Sequence, residues 1–500
     1  MRGIPTTLAV ISSKPVREIP TALAVLLLAV VFAANVYRAR TQSFTADEAL
    51  TYNNYVSAPL RATLTDYDAN NHVLNTLLEK ASAALFGASE FTLRLPSLAG
   101  GALYLAAAFL LCRRLFGEGA LLVVSVATLA LNPFVLDFLS AARGYGMALG
   151  LFLWAVEFLL RYFDQARPER LYRASLALGL AVAANLTLAF PGVALVFLCG
   201  AVLVRRREWS ALADQFLLPG FLAAFLLLAI PLSHARSANF YIGAQSLAQA
   251  LDGVVTPSLY YNSPSLPEPE QPLRHWLYRS SLRLVPVVLA LCVPVLGWLG
   301  WRRRRAPWSP EQRFFALCAG ALLGSILLLI AAHARLGLPY PERRTGLYLI
   351  PLFCLTSFAL MKLAARNRWA ARTLVPAGAV FFSLCAIQFA RQWNTKYYEE
   401  WLFDSRTKEI VRMLDGLRDH SRASVSVSVT WPVATTVDFY RRTRQLEWLD
   451  LKHRHVDKGP AEYYILAGDD LQLAEKLEVV FRDDFAEVVL ARATAPPARP

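Results

Sequence analysis

Long blocks of apolar residues alternate with short polar loops along most of this chain. Residues 22–34, 120–131, 216–230 and 381–390 are four such blocks. With their flanks, several approach the ~20 residues that a helix needs to cross a bilayer. The pattern therefore predicts a polytopic α-helical membrane protein with about eleven transmembrane helices. The predicted spans are 20–36, 95–111, 118–136, 145–161, 173–189, 190–204, 213–232, 281–300, 314–332, 346–362 and 373–390.

Composition and charge fit this topology. The chain has 500 residues, of which 56% are hydrophobic and 18% are charged, and its net charge is +14. A basic protein raises the question of nucleic acid, but the cations here stand in loops on alternate sides of the spans, which favours a membrane protein and no nucleic-acid partner. The positive-inside rule makes the basic side cytoplasmic. The basic clusters are Arg113-Arg114, 161–173, 205–207, 302–305 with Arg313, and 362–372.

The opposite, outer side receives a long first loop at about 37–94 and the turn at Arg143-Gly144-Tyr145. An odd number of spans also places residues 391–500 there. We therefore predict a multi-pass protein of the cytoplasmic (inner) membrane, with a transmembrane domain at 1–390 and an extracytoplasmic soluble domain at 391–500.

The C-terminal segment has the patterns of a small α/β domain. Valines alternate with serines over 425–429, and 462–467 is a second strand candidate. Residues 407–417 and 471–477 have helical spacing instead.

Acidic residues collect in the first outer loop. Asp47 and Glu48 come soon after the first span, and 66–72 supplies a second acidic segment with a histidine. The sequence predicts helices at 49–60 and 72–86, and the second has one apolar face that could lie on the membrane surface. A solvated loop with surface carboxylates is the alternative interpretation.

Taken in order, these features resemble the GT-C glycosyltransferases, in particular the branch of protein O-mannosyltransferases and the aminoarabinose transferase of lipid A. The matching segments are Asp47-Glu48, 66–72, 72–86, Arg94-Leu95-Pro96-Ser97 and the 340–345 segment before a late span. The resemblance implies a GT-C-like membrane fold and an inverting transfer of a sugar from a polyprenyl-phosphate-linked donor to a lipid, glycan or protein acceptor.

The resemblance also implies roles for the acids. Asp47, from the Asp of the family's Asp-Glu pair, is the predicted general base, since a hydroxyl acceptor needs its proton accepted during attack. Glu48 is the predicted supporting carboxylate that orients Asp47 or the loop.

Further residues are candidates for the substrates. The departing phosphate calls for cations, so Arg143, Arg343 and Arg344 are phosphate candidates, although arginines beside a span also snorkel to the interface. Residues of the second acidic segment are candidates for acceptor or sugar contacts, and a divalent cation such as Mg²⁺ or Mn²⁺ stays open as a cofactor. They are Asp66, Asp68, Asn71 and His72.

Two other functions remain open from the sequence. A transporter or flippase of lipid-linked sugars would also be a multi-span protein, although its charges would more often lie within the membrane. A membrane anchor for a binding module at 391–500 is the second. The sugar, the acceptor, the linkage, the metal dependence and the oligomeric state are not encoded in any motif that we recognise.

Overall fold

The computed structural model describes residues 14–236, 243–261, 272–302 and 307–494. Most of the predicted basic cluster at 302–305 lies outside these ranges. Each of the eleven predicted spans corresponds to a helix. The membrane helices are α1 (Lys14–Thr41), α5 (Glu90–Phe116), α6 (Ala120–Ala130), α8 (Tyr145–Asp164), α9 (Pro168–Ala184), α10 (Ala189–Arg206), α11 (Leu218–Ser233), α13 (Pro272–Arg302), α14 (Pro310–Leu336), α15 (Leu349–Ala364) and α17 (Leu374–Arg391).

The multi-span fold is confirmed. Within the described ranges, nine helical segments are long and apolar enough to cross a membrane. The helices α6 and α9, with 11 and 17 residues, are shorter than a full span. Shorter helices lie between and beside the spans: α2 (Ala46–Thr51), α3 (Leu60–Thr65), α4 (Val73–Phe86), α7 (Pro133–Phe138), α12 (Leu247–Leu259) and α16 (Arg368–Arg372).

The first loop folds into α2, α3 and α4, and of these three helices α2 begins with a side-chain cap. Thr45 caps the start of α2 in a reciprocal capping box with Glu48. The helix continues as a π-helical turn over Tyr52–Val56, where the Lys80 ammonium donates to the Tyr55 carbonyl oxygen at 2.7 Å. The predicted helix at 49–60 thus starts earlier and breaks, whereas the predicted helix at 72–86 matches α4.

The turn before α8 brings the first loop against the bundle. Gly144 makes this approach possible, because a Cβ there would lie 2.0 Å from the Ala184 carbonyl oxygen and 2.8 Å from His72 Cβ. No side chain fits such a gap, so glycine sets the distance between the Arg143 turn and the start of α4.

The C-terminal region contains α18 (Thr407–Leu417), β1 (Val425–Val429), α19 (Val433–Thr443), β2 (Leu449–His453), β3 (Tyr463–Ala467), β4 (Glu478–Asp483) and β5 (Val488–Arg492). Its strands form a mixed five-stranded sheet in the order β2-β1-β3-β5-β4, in which β1 pairs in parallel with β2 and β3. The predicted strands appear as β1 and β3, and the predicted helix at 407–417 is α18, whereas most of 471–477 falls in a 3-10 stretch, Gly468–Lys476.

The sheet domain rests on the first loop through α19. The rings of Phe44 and Phe439 stack with centroids 4.1 Å apart, and the Phe44 N–H donates to the Tyr440 hydroxyl at 2.9 Å. Near the other end of α19, the Asn53 amide donates to the Thr435 carbonyl oxygen at 3.1 Å. The C-terminal domain and the first loop therefore lie at the same end of the bundle.

Candidate active site

Glu48 is fully buried in the first loop. Both its side chain and that of Arg94 are 0% exposed, and they form a two-pronged ion pair, with Arg94 Nε 2.8 Å from Oε1 and Nη2 2.6 Å from Oε2. The backbone N–H groups of Thr45 and Ala142 also donate to this carboxylate. Because donors surround both oxygens, Glu48 ties α2 to α5 and to the turn before α8.

Asp47, the neighbouring acid, points the other way and is 20% exposed. Its Oδ2 lies 2.9 Å from Arg344 Nη2 and 4.0 Å from Arg143 Nη2. This buried oxygen accepts no hydrogen bond from the described residues. The structure thus brings together the predicted base and two of the three predicted phosphate-binding arginines, with lone pairs on the carboxylate still available.

Three hydrogen bonds fix the Arg143 guanidinium near this contact. Its Nη1 donates to the Thr51 hydroxyl at 2.9 Å, to the Asn70 carbonyl oxygen at 3.2 Å and to the Asp47 carbonyl oxygen at 3.3 Å. Its buried Nε has no hydrogen-bond partner among the described residues. One guanidinium edge therefore fixes the loop, and the other edge has unused donors.

Arg343 and Arg344 meet two acids that follow the last membrane helix. Arg344 Nη1 donates to Glu400 Oε2 at 2.7 Å, and Arg343 Nη2 donates to Glu399 Oε2 at 2.7 Å. Burial raises the pKa of Glu399 to about 7, although the Arg343 charge acts to lower it. Sequence reasoning missed both glutamates, even though two acids directly after a span are the same signal that singled out Asp47 and Glu48.

Two further buried acids at this end of the bundle were also missed. Asp404 Oδ2 accepts from the N–H of Ala46, the first residue of α2, at 2.6 Å, and burial raises the pKa of Asp404 to about 8. Asp137 pairs with Arg38 and accepts from the Tyr261 hydroxyl at 2.8 Å. These acids lack a motif, and only the fold brings their distant partners to them.

The second acidic segment divides into parts with different surroundings. Asp66 is exposed at the end of α3, and Asp68 Oδ1 accepts from the Asn70 N–H at 2.8 Å within its own turn. Asn71 is buried and uses its amide internally, donating to the Thr63 carbonyl oxygen at 2.9 Å. Among the described residues, no three His, Cys, Asp or Glu side chains converge as a metal-binding group.

His72 belongs with the arginines and not with the neighbouring aspartates. Its ring packs edge-on against Tyr145 at 5.0 Å, and its buried Nε2 has no hydrogen-bond partner in the described ranges. Burial lowers the pKa of His72 well below its usual value, and the charges of Arg143 and Arg344 act in the same direction. The neutral imidazole can therefore still donate or accept a hydrogen bond.

An apolar cavity of about 640 Å³ lies beside the charged cluster, within the usual size range of ligand sites. Side chains such as Val254, Leu289 and Phe353 line it. Pro341, two residues before Arg343, also contributes to its wall. A Cβ at Gly253, between lining residues of α12, would lie 3.1 Å from the Arg343 backbone nitrogen. The cavity thus borders the segment that carries both arginines.

Residues 73–234 match the family described as Dolichyl-phosphate-mannose-protein mannosyltransferase. ArnT from Cupriavidus metallidurans, solved bound to undecaprenyl phosphate, has a TM-score of 0.51 at 15% identity, over 96% of this chain and 99% of ArnT. This chain has the GT-C fold. The predicted fold class and resemblance are thereby confirmed.

Other GT-C structures are more distant. The Archaeoglobus fulgidus oligosaccharyltransferase, in complex with Zn and sulfate, has a TM-score of 0.39 at 12% identity, over 93% of this chain and 73% of the other. Arabinosyltransferase EmbB from Mycobacterium smegmatis has a TM-score of 0.34 at 12% identity, over 82% and 44%. The curated proteins contain no match. The family match begins at Val73 and does not include Asp47 or Glu48. The roles predicted for these two acids are therefore judged from the geometry of the site alone.

Proposed function

We propose that this chain is a membrane glycosyltransferase, a hexosyl- or pentosyltransferase, that uses a polyprenyl-phosphate-linked sugar donor. It would act on an acceptor at the outer face of the cytoplasmic membrane. One observation carries the proposal: an available carboxylate oxygen of Asp47 lies 2.9 Å from Arg344, and the segment that carries Arg344 borders an apolar cavity through Pro341. A base, a cation and an apolar space are the parts that such a transfer requires.

The donor would use both the cavity and the cations. Its polyprenyl chain would occupy the apolar cavity, and its phosphate would meet Arg344, the free edge of Arg143 and His72 Nε2. Bidentate arginine contacts suit a phosphate, and buried donors without partners are expected where a polar ligand binds. The likeness to ArnT, which was solved with undecaprenyl phosphate, supports this assignment.

The reaction would be a single displacement. An acceptor hydroxyl attacks the anomeric carbon while Asp47 takes its proton, the new glycosidic C–O bond forms, and the bond from that carbon to the phosphate oxygen breaks. Polyprenyl phosphate leaves with the bonding electrons, and the arginines stabilise the charge it gains. Attack opposite to the leaving group inverts the anomeric centre.

The donor phosphate would also release Asp47 for this task. Arg344 is shared by Asp47 and Glu400, and a phosphate at Arg344 would weaken its attraction for Asp47. We assign the exposed Asp66 and the partly buried Asp68 to the acceptor side, and Glu48 to holding α2 in place. The C-terminal domain, packed on α2, would border the acceptor.

The test replaces Asp47 by Asn and measures transfer of label from a panel of polyprenyl-phosphate sugars to envelope acceptors in proteoliposomes. We expect a loss of about 100-fold or more, the usual size for removal of a general base. Glu118→Gln is the matched control, because Glu118 pairs with Arg113 in an exposed position. Unchanged transfer in Asp47→Asn would rule out the base, and movement of donor across the membrane without a new glycosidic bond would favour a flippase.

A further inference from the structure

A six-residue segment after the last membrane helix reaches both sides of the Asp47–Arg344 contact. This segment, Glu399–Asp404, is called the connector below. On one side Glu400 accepts from Arg344, and on the other Asp404 accepts from the first N–H of α2 at 2.6 Å. The Glu399 N–H donates to Asp137 at 2.9 Å, which ties the connector to α7. The position of Asp47 relative to Arg344 therefore depends on the connector.

Within the connector, Glu400 has the most direct link to the site. Its side chain is 5% exposed, and it accepts from Arg344 Nη1 at 2.7 Å and from Arg343 Nε at 3.1 Å. Arg344 also stands over the ring of Trp401 at 5.7 Å. Arg344 thus contacts the connector through Nη1 and the Trp401 ring, and its other terminal nitrogen, Nη2, faces Asp47.

This arrangement makes two carboxylates share one guanidinium. Arg344 Nη2 is 2.9 Å from Asp47, and its Nη1 is bonded to Glu400. A cation between two anions is attracted to both, so its position is a compromise between the two attractions. Removal of the Glu400 charge would leave Asp47 as the main anionic partner of Arg344.

The geometry points to Glu400 as a positioning residue for the transfer reaction: it holds Arg344 away from full pairing with Asp47 and limits the attraction of Arg344 for the phosphate, so that Asp47 can accept a proton and the phosphate product can leave. The inference rests on the proposed function. It adds the C-terminal connector to the site as a part that sets the balance between base and cation, without contact to the reacting atoms.

Two opposite effects follow for Glu400→Gln, which keeps the size and an acceptor oxygen but removes the charge. Undecaprenyl phosphate should bind about three- to tenfold more tightly, because one anion near its phosphate has gone. Transfer should become about tenfold slower, since Arg344 then attracts both Asp47 and the phosphate product more strongly.

The experiment uses the full-length protein in lipid nanodiscs. Binding of undecaprenyl phosphate is measured by native mass spectrometry, and transfer is measured with a labelled polyprenyl-phosphate sugar and envelope acceptors. Glu400→Asp, which keeps the charge, should recover part of the wild-type rate and affinity. Glu409→Gln is the matched control, because Glu409 is an exposed partner of Arg406 in α18.

The outcomes separate the two proposals. Tighter binding with slower transfer in Glu400→Gln, and wild-type behaviour in the control, would support the role of Glu400. If wild type binds and transfers, but Glu400→Gln loses both in parallel or changes neither, the positioning role is overturned while the proposed function stands. If wild type neither binds undecaprenyl phosphate nor transfers sugar, the proposed function fails, and the role of Glu400 fails with it.

Discussion

The two acidic segments of the first loop have similar composition but opposite surroundings. Asp47 and Glu48 lie on a helix that is held by Arg94, by the C-terminal domain and by the connector. Asp66 lies at the end of a short helix and accepts from the Thr65 hydroxyl, and Asp68 lies in a turn and accepts from the Asn70 N–H, so both bond to residues close to them in sequence. Carboxylates therefore differ here by their partners and burial, and not by the acidity of the segment.

His72 is an exception to the division by segments, because it lies near the residues around Asp47 although it follows the second acidic segment in sequence. His72 follows the second segment in sequence, yet it packs on Tyr145 beside Arg143. Gly144 allows this approach, because any side chain there would collide with His72. Chain order thus assigned His72 to the acceptor, whereas its surroundings favour the phosphate.

The largest expected effect is on the buried support of the first segment. Arg94→Ala would leave the Glu48 carboxylate enclosed without its cation, which costs about 3–5 kcal/mol of unfolding free energy. Arg113→Ala in the same helix is the control, since that arginine is 47% exposed and its pair contributes roughly 0–1 kcal/mol. Thermal unfolding in detergent measures both. Equal stability of the two variants would contradict the structural role of the Glu48–Arg94 pair.

The next effect tests which group His72 belongs to. His72→Phe keeps a ring against Tyr145 but removes Nε2, and we expect the KM for the donor to rise about tenfold, the usual cost of one hydrogen bond to a charged group. The KM for the acceptor should stay unchanged. His455→Phe, at an exposed position of the C-terminal domain, is the control. An increase confined to the acceptor KM would mean that His72 contacts the acceptor and not the donor phosphate.

A third prediction concerns pH and the connector. The pKa of Asp404 is raised from 3.8 in a free side chain to about 8 in the folded protein, so the unfolded chain releases this proton first. Its contribution to stability is complete below about pH 4 and is lost as the pH rises to about 8, at up to about 1.4 kcal/mol per pH unit. In Asp404→Asn this slope should be absent. Melting temperatures of both proteins are measured between pH 5 and 8. If they change equally with pH in the two proteins, the predicted contribution of Asp404 is wrong.

The smallest effect is expected at the second segment itself. The double variant Asp66→Asn with Asp68→Asn should raise the acceptor KM about two- to fivefold and leave kcat unchanged, because carboxylates that are exposed or only partly buried contribute little to binding. Steady-state transfer at fixed donor concentration measures this. A loss of kcat as large as that of Asp47→Asn would erase the difference between the two segments.

Sequence patterns predicted the membrane helices because each has a local cause. Apolar blocks of span length, and helical spacing at 72–86, appear in the structure as α4 and the eleven bundle helices. Strands β2, β4 and β5 were missed, and β4 has mostly exposed residues, so no alternation marks it. Caps and periodicity act over a few residues, which is the range that sequence reasoning covers well.

The site was predicted only in part for the same reason. Asp47, Arg143 and Arg344 stood out as charges beside spans, and the structure brings them together. Glu400 and Asp404 were missed, because their partners are 56 and 358 positions away in the chain. Such pairs depend on how distant helices pack, which no local pattern records.

The bond between Asp404 and the first turn of α2 has a consequence for biosynthesis. Its two partners are separated by 358 positions, so at ~5–20 residues per second the ribosome needs roughly 20–70 s to deliver the second after the first. Until then α2 lacks the acceptor for its first N–H, and Arg344 lacks Glu400. A nascent chain already inserted in the membrane would therefore carry an unfinished site, and the arrangement of Asp47 would be completed only after Glu400 and Asp404 have been synthesised.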